Sequence, residues 1–417
     1  MIPLEDAQSH VMDSIKTLES ENVHLLQGRN RIITEPIMSN ESIPPFDNTA
    51  VDGYAVKAID TKGATQETPT SLTVLETIAA GKPPTCTIQT GECSKIMTGA
   101  PIPDGADAVV MVERTEQQEN ESVVTIKEEV SEGQHIRRSG EDLEPGDLVI
   151  PKGTLLNAGH LGLLASLGIY EIETVRTPTV GVFSTGDELI EGSQELKPGQ
   201  IRDSNRFSLL ALLERDGFQT IDFGLIPDNE EAIEETIKKA EDTCDALVTT
   251  GGVSMGDFDY VKIVLNRLGQ MRWMQVAIKP AKPLAFGTVN ELPVFGLPGN
   301  PVSSMVSYEL FARPALRKMS GNRNPYRNIF EGKVTQDFLR KPDGKTHFFR
   351  VSADVGEGMP KIQSAGRQGS HQLTGMAGAN ALAILPDGNG VTQDATCLLY
   401  TSPSPRDRTR SRMPSSA

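Results

Sequence analysis

Leu4, Ala7, Val11, Ile15 and Leu18 recur at intervals of three and four, which puts one apolar stripe on a helix entered through Pro3. A stripe of this kind has to be covered by something later in the chain. Across residues 25–150 the period changes: short runs at 71–75, 108–112 and 123–126 alternate with Gly, Pro and acidic turns, and the stretch predicts strands. Residues 157–167 return to helical spacing, with Asn157 as the N-cap and Gly168 as the stop. After Pro178 strands and helices alternate. The pattern predicts strands at 179–183, 220–225 and 246–250, helices at 205–215, 230–240 and 260–268, strands near 272–278 and 293–297, and a helix over 301–318. Such alternation implies βαβ crossovers and a largely parallel sheet covered on both faces, with ligands beyond the carboxyl ends of its strands. From Arg327 onward short strands and turns return, as in a small β domain.

Composition narrows the function. The chain has 417 residues, 37% apolar and 23% charged, with 38 Gly and 27 Pro spread along it, which is a multidomain globular pattern. Its apolar runs, such as 180–183 and 246–248, are far below the roughly 20 residues of a membrane span. The N-terminal segment lacks the basic start and apolar stretch of a secretory signal, so a cytoplasmic location is expected. A net charge of −16 repels nucleic acid. The four cysteines have neither zinc-site spacing nor the density of a disulfide scaffold. From Cys397 the sequence turns abruptly basic and Ser/Pro-rich, and its first eleven residues resemble a translated sequencing adapter. The expectation is a non-native tail over 397–417 and a last domain without its final strand.

The chemistry concentrates on three turns that follow predicted strands: STGDE at 184–188, TTGGVSMGDFDY at 249–260 and LPGNPVSS at 297–304. Gly251 and Gly252 let the backbone approach a ligand and turn N–H groups toward an anion, with Thr185 and Ser254 adding hydroxyls. Asn300 can cap the following helix and Pro301 fits its first turn, so free N–H groups over 302–304 would form an oxyanion site, with Ser303 beside them. Taken singly, each turn also fits ordinary strand-to-helix geometry. Asp187, Glu188, Asp228, Asp257 and Asp259 fall on the same loops, and oxygen-rich clusters beside phosphate suit Mg²⁺. Lys279 and Lys282, in AIKPAKP, are the cationic counterpart. The residues imply a phosphate pocket, a divalent cation and a separate oxyanion subsite.

This set resembles the MoeA family, which includes the E domain of gephyrin and its plant counterpart. The N-terminal half carries the resemblance as fully, in PPFDNTAVDGYAV at 44–56, IMTGAPIPDGADAVVMVE at 96–113 and IRRSGED at 136–142. It implies an α/β plus β, multidomain elongated subunit: a linking domain over 22–45 and 142–175, a β-rich domain over 46–141, a central doubly wound α/β (molybdopterin-binding) domain over 1–21 and 176–325, and a truncated C-terminal β domain over 326–396. A homodimer is implied, with Asp52, Thr98, Arg137 and Asp142 reaching the site from the partner subunit. Glu188, Asp228 and Asp259 would hold Mg²⁺ near the pterin phosphate, while Lys279, Lys282, Pro298, Ser303, Arg350 and Ser370 would contact molybdate and cofactor.

The activity implied is molybdate insertion into adenylyl-molybdopterin with release of AMP, by positioning more than acid/base work, since no side chain resembles an activated nucleophile. An upstream molybdopterin adenylyltransferase and downstream delivery factors for molybdoenzymes are the implied partners. Gln275 and Ala281 depart from residues common in the family, a lysine and a glycine. Two rivals remain. A molybdopterin adenylyltransferase shares the central turns but lacks the N-terminal motifs, and a gephyrin-like scaffold would need a clustering module that the chain does not display.

Overall fold

A computed structural model describes residues 1–401 apart from 118–121, 253–259, 355 and 357. The chain divides into two compact units, one of residues 1–34, 155–157 and 171 onward, the other of 35–154 and 158–170.

The first unit is built on a six-stranded sheet in the order Gln219–Ile226, Thr179–Thr185, Ala246–Thr250, Leu292–Leu297, Pro283–Val289, Gly269–Gln275. The first four are parallel and the last two antiparallel. The chain leaves Thr179–Thr185 for one side and returns on the other at Ala246–Thr250, so the switch of direction lies between the ends of these two strands. Ligands of open α/β sheets bind at such a point. All five residues of Ala246–Thr250 are buried, which accounts for the lack of two-residue alternation along it. Helices Asn205–Arg215, Glu230–Thr243 and Tyr260–Leu268 cover the sheet, and Asn229 caps the second by accepting from the Ala232 N–H at 2.9 Å.

The opening helix, Leu4–Asp13, buries Ala7 and Val11 in the same core as Phe311, Ala315 and Met319. The segment expected as one helix over 301–318 is α-helical at Pro301–Ser307 and Arg313–Met319, with a wider π turn at Tyr308–Ala312 between them. Pro314 has no N–H to give to the Leu310 carbonyl one turn back. That carbonyl accepts instead from Gln8 of the opening helix, at 3.0 Å.

A second six-stranded sheet follows in the same unit, in the order Ile278–Lys279, Thr346–Asp354, Lys361–Ser364, Ile329–Val334, Thr396–Thr401, Ala381–Leu385, the last also pairing with Thr346–Asp354. Here the structure corrects the expectation of a missing final strand. Thr396–Thr401 lies between two others, pairing Phe330 with Leu399 on one side and Leu382 with Tyr400 on the other. The five residues Cys397–Thr401 carry enough apolar character for an interior strand, whatever the composition of the residues after them.

In the second unit a six-stranded sheet, in the order Ala108–Met111, Gly53–Val56, Glu92–Ile96, Thr70–Ile78, Val123–Ile126, Thr115–Glu116, encloses Tyr54, Leu72, Cys93, Val110 and Val124. The predicted helix is present at Ala158–Ser166, and Gly168 ends it at φ 70°.

Candidate active site

Thr185 ends the first parallel strand, and its hydroxyl donates to the Asp228 carboxylate at 3.1 Å. Burial pushes the Asp228 carboxyl above its usual range; the Thr185 hydrogen bond opposes this, and the charges of Asp187 and Glu188 raise it further. Three carboxylates from two strand ends therefore share one electrostatic neighbourhood. Among the described residues no group of three possible ligands is close enough to hold a metal. Ser254, Asp257 and Asp259 lie outside the described residues, so the third expected ligand is not among them. The donors present are all carboxylate oxygens, the type that a hard divalent cation takes.

At the end of the next strand Gly251 has φ 88° and Gly252 φ 65°. A Cβ on Gly251 would stand 2.5 Å from the Thr185 carbonyl oxygen, so the turn requires glycine there for both conformation and space. Asn205, not singled out from the sequence, fastens this turn to the next: its amide donates to the Thr250 hydroxyl and to the Gly299 carbonyl, both at 2.8 Å. The Thr250 hydroxyl also donates to the Pro298 carbonyl at 3.3 Å. The Gly251 and Pro298–Asn300 turns are thus one braced structure.

Asn300 precedes the Pro301–Ser307 helix, but its side chain makes no capping bond. The oxyanion site expected from free N–H groups over 302–304 needs correction. The Val302 N–H donates to the Ser370 carbonyl at 3.1 Å, and that of Ser304 to the Asn300 carbonyl at 2.9 Å. The first turn of this helix therefore serves to anchor the loop carrying Ser370. Ser303 is 4% exposed.

That loop wraps Arg350, which is 1% exposed. One guanidinium nitrogen donates to the carbonyls of Arg367 and Gly369, each at 3.0 Å, while Gln368 brackets the Arg350 backbone with two bonds of 2.9 Å. Its Nε has no partner, and among the described residues no carboxylate pairs with it. Burial pulls the guanidinium down to about 10. Lys279 reaches the same place from the neighbouring edge strand, because Ile278–Lys279 adds to Thr346–Asp354 in parallel, Lys279 opposite His347. Lys279 and Arg350 line one cavity of about 310 Å³, together with Arg340, Lys341, His347 and Asp343. Four cations face one carboxylate in it. Lys282 is exposed at the start of the neighbouring strand, and Ala281 between the lysines has φ 76°, the conformation that favours the glycine from which it departs.

In the second unit the structure brings Asp52 and Thr98 together, the Thr98 N–H and hydroxyl donating to one Asp52 oxygen at 2.6 and 2.8 Å. The two bonds, backbone first, hold the Asp52 carboxyl below its usual range, so it stays ionised. Arg137 is exposed on a two-residue strand opposite Asn48, and Asp142 is exposed with its N–H bonded to the Ile43 carbonyl at 2.9 Å. All four expected residues of this half are exposed groups of one unit.

Comparison with known proteins agrees along the length of the chain. Residues 2–168 match the model of the MoeA N-terminal region (domain I and II), 181–318 that of a probable molybdopterin binding domain, and 333–394 that of the MoeA C-terminal region (domain IV). A molybdopterin molybdenumtransferase of Haemophilus influenzae is 38% identical over 392 residues, 94% of this chain and 96% of that protein. One of Bacillus subtilis is 35% identical over 390 residues, 93% of this chain and 90% of that protein. The crystal structure of a molybdopterin biosynthesis MoeA protein from Pyrococcus horikoshii matches 96% of this chain and all of its own, with 30% identity and a TM-score of 0.79. With its motifs, its sheet order and its braced turns accounted for along the same length, the chain belongs to the MoeA family.

Proposed function

We propose that the chain is a molybdopterin molybdotransferase, inserting molybdate into adenylyl-molybdopterin and releasing AMP. The observation that carries this reading is Arg350, a buried cation with no counter-charge among the described residues, in one cavity with Lys279. A buried charge left unpaired is costly, and an oxyanion substrate supplies the missing partner. Ser370 and Ser303 stand on the two segments joined by the Val302–Ser370 hydrogen bond, so the polar walls of the subsite are fixed before ligand arrives. Gly251 and Gly252 admit the phosphate end of the pterin close to the backbone. Mg²⁺ would be held by Glu188, Asp228 and Asp259, and when bound it supplies neutralisation of the pyrophosphate charge. We read Asp52, Thr98, Arg137 and Asp142 as contributions from the second subunit of a homodimer, and the four-domain boundaries given above as the division of the subunit. A cytoplasmic location, an adenylyltransferase upstream and molybdoenzyme delivery factors downstream belong to the same reading.

The test is AMP release from adenylyl-molybdopterin by the full chain, with and without molybdate and Mg²⁺. Molybdate-dependent release, abolished in Asp259→Ala and weakened in Lys282→Ala, is the expected result. Formation of the adenylylated pterin from ATP would replace this reading by the adenylyltransferase. Binding of peptides with no turnover of either kind would replace it by the scaffold.

A further inference from the structure

His347 is a side chain that neither the fold nor the proposed chemistry uses so far. It sits on the strand that carries Arg350, directly opposite Lys279 in the adjoining strand, and lines the cavity that those two cations share. The ring is nearly buried, with 7% of its side chain exposed, and it stacks on Phe349 at 6.1 Å. Its Nε2 lies 3.1 and 3.2 Å from the two oxygens of Asp343. Against the burial that would raise it, hydrogen bonds from Lys345 and His347 hold the Asp343 carboxyl down at about 2. Asp343 is therefore a carboxylate, and the His347 Nε2 carries the hydrogen between them.

We infer that His347, oriented by Asp343 on the wall of the anion cavity, couples anion binding to proton uptake: it is neutral in the empty cavity and becomes a cation when a dianion occupies it. The inference rests on the reading of this cavity as the oxyanion subsite. Its basis is the set of groups around the ring. Lys279 faces it from one strand and Arg340 and Lys345 from the preceding loop, where Lys341 also lines the cavity; Asp343 is the nearby carboxylate, Asp387 is held by Arg340 at 2.8 Å, and Arg350, three residues along the same strand, lines the cavity with its guanidinium on the Arg367 and Gly369 carbonyls. Burial lowers the ring's pKa from 6.5; the Asp343 bond opposes, and Arg340 and then Lys279 act with burial. A dianion bound among the same cations reverses the sign of the local potential, so the proton that the empty cavity rejects is favoured in the filled one. His347 is thus a positioning and charge-matching residue: protonated, it adds one more cation and N–H to the wall.

Linkage fixes what an experiment must show. If one proton is taken up per anion, affinity falls by about tenfold per pH unit between the pKa of the empty site and that of the occupied one, and is flat on either side of that window. Titration calorimetry with molybdate, and separately with sulfate, is run on the full chain between about pH 5.5 and 8.5, in buffers of different ionisation heat. The wild-type chain is expected to take up protons on binding either anion. In His347→Gln, which keeps an amide toward Asp343, uptake is lost and affinity becomes flat with pH. Asp343→Asn removes the only carboxylate lining the described cavity and is expected to shrink the uptake, which provides a second variant should the first fold poorly.

Binding without proton uptake in the wild-type chain overturns the inference, as does undiminished uptake in His347→Gln. Either result leaves molybdate-dependent AMP release untouched. Absence of anion binding at every pH overturns both the inference and the placement of the oxyanion subsite.

Discussion

The strand Thr396–Thr401 makes the sharpest prediction, because it joins the end of the chain to the frame around Arg350. Ending the chain at Thr396 removes the buried side chains of Cys397, Leu399 and Tyr400, which are 4, 0 and 5% exposed. Leu399 and Tyr400 alone account for roughly 3–6 kcal/mol of apolar burial. The Tyr400 hydroxyl, which donates to the Glu309 carbonyl at 3.0 Å, adds about 1 kcal/mol. Since a whole domain is stable by only about 5–15 kcal/mol, this loss is enough to release the C-terminal sheet as a unit. It also leaves open edges on Ile329–Val334 and Ala381–Leu385, and the latter pairs Leu382 with Arg350. The assay is thermal unfolding and molybdate calorimetry on chains ending at Thr396 and at Thr401. The shorter chain is expected to show an earlier or missing transition and to lose molybdate affinity, while the longer one retains both. Equal melting and equal affinity in the two would refute the reasoning, and would mean that the strand contributes nothing to the sheet.

Three further outcomes follow from the geometry. In Gly251→Ala the added Cβ meets the Thr185 carbonyl at 2.5 Å and the backbone must leave φ 88°, at about 1–2 kcal/mol; AMP release is expected to fall at least tenfold, more than any change in melting explains. Arg350→Gln is expected to weaken molybdate binding by about 2–5 kcal/mol in calorimetry while leaving the melting curve little changed, because the arginine has no carboxylate to strand. Asp228 tests the sign of the acidic cluster. Burial first, and then Asp187 and Glu188, raise its folded pKa, so its contribution to stability is present at low pH and lost as pH rises through that value. Asp228→Asn is therefore expected to raise the melting temperature at neutral pH, by a gain that vanishes as the pH falls into the carboxylate range, and to depress AMP release throughout.

Much of the α/β sheet was legible from periodicity. Ala246–Thr250 and the helices Asn205–Arg215 and Tyr260–Leu268 fall where the apolar pattern puts them. Pro283–Val289 was hidden by its opening proline and by burial on both faces, which removes the two-residue alternation that marks a strand. The break at Tyr308–Ala312 was hidden for a different reason. Pro314 was visible, but the partner of the carbonyl it frees comes from Gln8, far away in sequence. The strand at Cys397–Tyr400 is masked in the sequence by the basic, Ser/Pro-rich composition of the residues that follow, which outweighs the four residues that pair. The site divides in the same way. Turn residues such as Thr185, Gly251 and Asn300 announce themselves by type and position. The meeting of Lys279, His347 and Arg350 depends on the register of Ile278–Lys279 against Thr346–Asp354, which no local pattern encodes.

The two poles of the site explain why the protein maintains such costly charges. Carboxylates gather at the ends of Thr179–Thr185 and Gln219–Ile226, and cations gather where the second sheet meets Ile278–Lys279. Direct pairing between the poles would satisfy both and leave nothing to bind. Among the described residues the fold prevents this at Arg350 by giving its guanidinium carbonyl oxygens alone, those of Arg367 and Gly369. Carbonyl dipoles lower the cost of burying a cation but leave its net charge in place. The charge is then neutralised only by something that enters the cavity, and a compact dianion does so without displacing the hydrogen bonds that hold the loop. On the function proposed above, Arg350 offers that dianion a group that is charged, desolvated and already in position, the arrangement in which electrostatic binding is strongest and reorganisation least.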